Sequence, residues 1–82
     1  MNALSPDDFK CAMRALRVEK GVSQRELSMR VERRPEWCAL LEGSDRFPPV
    51  SALSMYLRAL GISWAEFGAT IDAIASMEVE GA

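Results

Sequence analysis

The stretch from residue 23 to residue 42, SQRELSMRVERRPEWCALLE, limits what this chain can become more than any other part of it. It opens on Ser23 with Glu26 three positions later, a capping-box spacing: the serine satisfies a free amide and the glutamate reaches back to the cap. Leu27 and Val31 follow four residues apart, on one inward helical face. Pro35 suits the first turn of a second helix, with Arg34 a poor cap before it. Cys38 and Leu41 give that helix its inward face, and Gly43-Ser44-Asp45 ends it. Two short helices joined by a tight turn, over 24–31 and 35–42, are therefore expected.

The flanking segments carry the same kind of signal. Ser5-Pro6-Asp7-Asp8 starts a helix over 6–20: serine caps, proline fits the first position, and the acids suit the positive end of the dipole. Phe9, Met13 and Leu16, with Cys11, Ala12 and Ala15, form its apolar stripe, and Gly21 stops it. Arg46-Phe47-Pro48-Pro49 reads as an extended loop. A helix over 51–60 follows, with Leu53, Met55/Tyr56, Leu57 and Leu60 as its apolar set and Gly61 as its end. Ser63 and Glu66 form a second capping box and open a helix over 64–77, striped by Trp64, Phe67, Ile71 and Ile74/Ala75. The last residues, EVEGA, are expected to fray. Apolar residues make up 49% and aromatics 7%, with no alternating β-branched run, so the expectation is one all-α domain of five helices over 1–82.

Charge is uneven beneath a net of −2. Between residues 10 and 34 eight basic side chains meet three acids, a local +5; from residue 59 onward there are only acids, a local −4. A basic first half can approach phosphates, although most such charges simply solvate helix faces. Cys11 and Cys38 form no CxxC pair and there is no histidine, so no metal or cofactor is expected, and both thiols are expected to be reduced and mostly buried. An enzyme is not expected either: no thiol has a base, and no glycine-rich phosphate loop or credible carboxylate pair is present. The N-terminus lacks a secretory pattern and no long apolar run exists, which gives a cytoplasmic protein without membrane or small-molecule partners as the expectation.

Three pieces together, RVEKGVSQREL (17–27), the Leu41-Glu42 ending, and LRALGISWAEF (57–67), resemble the Cro/C1-type helix-turn-helix family without a gap from about Phe9 to Phe67. The resemblance implies a compact five-helix domain of the lambda-repressor-like type. It also implies a largely buried ion pair between Arg17 and Glu42, and backbone contacts to DNA from Gln24. Its base-reading positions fall on Pro35, Glu36 and Leu40, with Trp37 and Ala39 beside them. Here the chain departs from the pattern. Direct readout needs forked donors or acceptors, which proline and leucine lack, and Glu36 faces two rows of phosphates. Glu32 stands where the turn glycine is usual, and Arg33 where a small apolar residue is usual. Asp45 further subtracts from phosphate binding, leaving Arg34 and Arg46 as the nearby basic groups.

Two functions remain in view. One is a regulator that keeps the frame but uses Pro35, Glu36, Trp37 and Leu40 to hold another transcription factor, as small antiactivators of bacterial mobile elements do. The alternative is a dimeric DNA-binding repressor on a palindromic operator, with Gln24, Arg34 and Arg46 on phosphates. Trp37 also has a structural reading, folded back onto the fourth helix to fill a thin core. Ile74 and Met77 could serve a partner or twin chain, whereas Trp64 and Phe67 are expected to cover the domain's own core.

Overall fold

The computed structural model describes residues 4–80, and among them the chain is all-helical. Its five helices are α1 (Pro6–Glu19), α2 (Gln24–Arg30), α3 (Trp37–Gly43), α4 (Val50–Leu60) and α5 (Trp64–Glu80). No described helix is long and apolar enough to cross a membrane. α5 runs three residues past its expected end, through part of the segment expected to fray; Gly81 and Ala82 lie outside the described residues.

The caps explain the starts. Ser5 accepts from the Asp8 amide at 3.2 Å and donates its own amide to the Asp8 carboxylate at 2.8 Å, with Pro6 in the first turn. Ser63 and Glu66 repeat the arrangement at α5. At α2 only half of the expected box forms. Ser23 accepts from the Glu26 amide at 3.0 Å, but the Glu26 carboxylate turns along the helix to Arg30 at 2.8 Å.

The ends follow one pattern three times. After α1 the Gly21 amide donates to Val18 and the Val22 amide to Arg17; after α4 the Gly61 amide donates to Arg58 and the Ile62 amide to Leu57. Both glycines sit at φ +70°, and the apolar residue that follows each is buried. After α2 the same two bonds run from Glu32 to Met29 and from Arg33 to Ser28. There the left-handed position is filled by Glu32 at φ 57°, the only non-glycine with positive φ among the described residues, and the following Arg33 is exposed. A side chain in that region costs about 1–2 kcal/mol relative to glycine's easy access.

The core gathers Ala12, Met13 and Leu16 of α1, Leu27 of α2, Cys38 of α3, Leu53, Tyr56, Leu57 and Leu60 of α4, and Phe67 and Ile71 of α5. Phe9 meets Phe47 at 5.2 Å and Phe67 at 5.6 Å between ring centroids, both edge-on, which ties the 44–49 loop to α1 and α5. Several expectations need correction. α3 begins at Trp37, two residues late, because Pro35 and Glu36 form a separate turn closed by the Trp37 amide on the Arg34 carbonyl at 2.9 Å. Cys11 and Ala15 are exposed, since α1 is covered on one side only; of the two thiols just Cys38 is buried. Trp64 covers Phe67 at one ring edge and remains 51% exposed.

Candidate functional site

α3 is seven residues long, too short to hold its position by its own hydrogen bonds. Tertiary bonds do it instead. No side chain of its own segment caps its start; Ser28 of α2, fully buried, accepts from the Cys38 amide at 2.8 Å and donates to the Gln24 carbonyl at 2.9 Å. Nothing in the sequence reading singled out Ser28. The available signal was a small polar residue on the inward side of α2, one position past Leu27.

At its other end α3 is held by Glu42. Arg17 of α1 grips this carboxylate with two donors, Nε at 2.7 Å and Nη2 at 3.1 Å, while its Nη1 donates to the Val22 carbonyl at 3.0 Å. Gln24 of α2 donates its amide nitrogen to Glu42 at 3.1 Å, and the Cys38 thiol donates at 2.9 Å. The Tyr56 hydroxyl of α4 lies 2.7 Å from the carboxylate and 2.8 Å from the Met13 carbonyl, so its one proton has two acceptors. Four helices thus converge on one carboxylate whose side chain is 6% exposed, beside an Arg17 side chain 9% exposed.

The electrostatics follow from this geometry. Burial alone would push the Glu42 carboxyl up, but donation from Arg17, Cys38, Tyr56 and Gln24 outweighs it and holds the group below its ordinary value. Arg17 is raised by its bonds to Glu42 against the opposing effect of burial. Burial, and then the bond to Glu42, push the Cys38 thiol up to about 12 and raise Tyr56 as well. A protonated, buried thiol of this kind is a hydrogen-bond donor and not a nucleophile.

The expected site residues divide around this frame. Arg17 and Glu42 pair as expected. Gln24 is half-buried and donates to Glu42, which commits one of its two amide hydrogens to the interior. On the outer side, Leu40 is 70% exposed and Ala39 is also open to solvent. Pro35 and Glu36 are exposed on the turn before the helix. Trp37 is half-buried and packs against the core, so the structural reading of this side chain holds in part and only part of it faces outward. Trp37 and Leu40 nevertheless share a shallow hollow of about 280 Å³ with Arg33, Arg34 and Glu36. Phe47 lies outside the hollow, edge-on to Phe9 and 52% exposed. Arg46 is exposed on the loop after α3, outside the hollow.

The outer face of α3 therefore offers leucine, alanine and part of a tryptophan, with two guanidinium groups at its start. The only charged residue within α3, Glu42, is turned inward. Comparison with family models, with curated proteins and with solved structures finds no match for this chain.

Proposed function

We propose that this protein is a transcriptional regulator that acts by holding another protein, a transcription factor, through the outer face of α3, as an antiactivator does. The observation that carries the reading is Leu40, 70% exposed on a rigidly held helix and sharing a hollow with Trp37. A helix fixed by three neighbouring helices and presenting an apolar side chain is pre-organised for a protein surface. The same face is poorly made for bases: from Trp37 to Gly43 there is no arginine, lysine, asparagine or glutamine. The resemblance to Cro/C1-type regulators supports the link to transcription.

A second reading rests on Arg34 and Arg46, exposed on either side of α3 and paired with no carboxylate among the described residues. They could hold phosphates in a repressor of the Cro/C1 type. Gel shifts on genomic and random DNA at low and physiological salt separate the two. The protein-docking reading expects no sequence-selective shift, and loss of regulation in a Leu40→Glu variant whose helical spectrum is unchanged. A selective shift that weakens steeply with salt and tolerates Leu40→Glu would replace it with the repressor reading.

A further inference from the structure

We infer that the hollow at the start of α3 takes an acidic segment with an apolar side chain at its tip, belonging to a different protein. The inference rests on the protein-docking reading and specifies the chemistry of the partner. The hollow, at about 280 Å³, lies at the lower end of the range of ligand sites and has room for an inserted side chain. Its apolar wall is Trp37 and Leu40. Its rim carries Arg33 and Arg34, both exposed. The nearest polar partner of the Arg33 guanidinium is the Met55 sulfur at 3.9 Å, a weak acceptor. No acceptor is seen for Arg34 among the described residues.

By contrast, the neighbouring Arg30 is neutralised by Glu26 at 2.8 Å and donates to the Ala59 carbonyl at 3.2 Å. Two open guanidinium forks beside tryptophan and leucine match carboxylates flanking an apolar anchor. Glu36, the single acid on the rim, sets the orientation, because the partner's carboxylates must lie toward Arg33 and Arg34 and away from it. A phosphate backbone satisfies the arginines but runs past Glu36 and brings nothing apolar for Leu40. A second copy could offer an acidic, apolar segment of its own, such as α5 with Asp72 and Met77 exposed. That head-to-tail contact uses different surfaces on the two copies, so it leads to open chains unless a rotation happens to close it.

The test is selection of displayed random dodecapeptides against the immobilised full chain, followed by affinity measurement on wild type, Leu40→Glu and the exposed pair Arg33→Glu with Arg34→Glu. Circular dichroism checks that each variant folds. The inference expects winners with net negative charge and at least one leucine or aromatic residue. It expects them to bind about tenfold more weakly to the double arginine variant and to weaken with salt. Neutral or basic winners, winners indifferent to the arginine pair, or no enrichment overturn it. Such a failure leaves the docking reading standing as long as Leu40→Glu still abolishes regulation, whereas a salt-sensitive selective DNA shift removes both.

Discussion

Replacing Glu42 by alanine deletes the carboxylate at which α1, α2, α3 and α4 meet. The variant strips Arg17 of both short contacts, at 2.7 and 3.1 Å, and leaves it the Val22 carbonyl at 3.0 Å. It also orphans donors on Gln24 and Cys38, and leaves Tyr56 the Met13 carbonyl. Summing hydrogen bonds would exaggerate the effect, because the wild type already bears the desolvation of both charges. The relevant magnitude is that of breaking a buried pair by removing one partner, about 3–5 kcal/mol. A domain of 82 residues has a total stability of about 4–12 kcal/mol, so Glu42→Ala is expected to lie at or near the unfolding limit.

Urea melts followed by helical circular dichroism measure the loss. The Arg17→Met and Glu42→Leu changes, singly and together, give the coupling: each alone should be costly, and the pair much less so, since an apolar replacement removes both buried charges at once. Acid titration gives an independent sign. The folded Glu42 carboxyl lies below its ordinary 4.5, so its contribution is complete above that value and is lost as pH falls through the folded value. The acid limb should therefore be shallower in Glu42→Ala. A loss below about 1 kcal/mol, or additive effects of the two positions, would refute the view that this carboxylate holds α3 in place.

Four further outcomes are expected. Cys38 and Tyr56 are acids held protonated in the fold, so their stabilisation is present at neutral pH and is lost in alkali. From about pH 9 toward 12 stability should fall steadily as pH rises, and Cys38→Ala should flatten the first part of that slope in melts at stepped pH. Glu32→Gly should change stability by between nothing and a gain of about 1 kcal/mol, because glycine accepts φ 57° freely but orders a looser chain; a clear loss of thermal stability would contradict the strain argument. Ser28→Ala, which unpairs the Cys38 amide inside the core, should cost about 1–3 kcal/mol in urea, and a neutral result would show that α3 does not depend on this cap. A thiol reagent should modify Cys11 at once and Cys38 only on unfolding, so rapid reaction of both would mean that the core around α3 opens readily.

The helices themselves were legible in the sequence because their signals are local. Ser5-Pro6-Asp7-Asp8, Ser63 with Glu66, and the glycines at 21 and 61 each specify a start or stop through bonds spanning three to five residues, which any reader of the chain can place. Glu32 stood out only through the family resemblance, as the residue in place of a turn glycine. The Arg17–Glu42 pair was reached through family resemblance, since nothing local links residues 25 positions apart.

What the tertiary structure decided depends on burial and on competition among partners far apart in sequence. Gln24 could serve a phosphate or a neighbour, and only the fold brings one of its amide hydrogens within reach of Glu42. Trp37 could point out or in, and packing against the core takes part of it. Cys11 and Cys38 are chemically alike, yet one is exposed and the other lies 2.9 Å from a buried carboxylate. Ser28 caps a helix ten residues downstream, and Tyr56 reaches that same carboxylate from α4. Local propensity chose the segments, and three-dimensional partner choice decided which side of α3 stayed exposed.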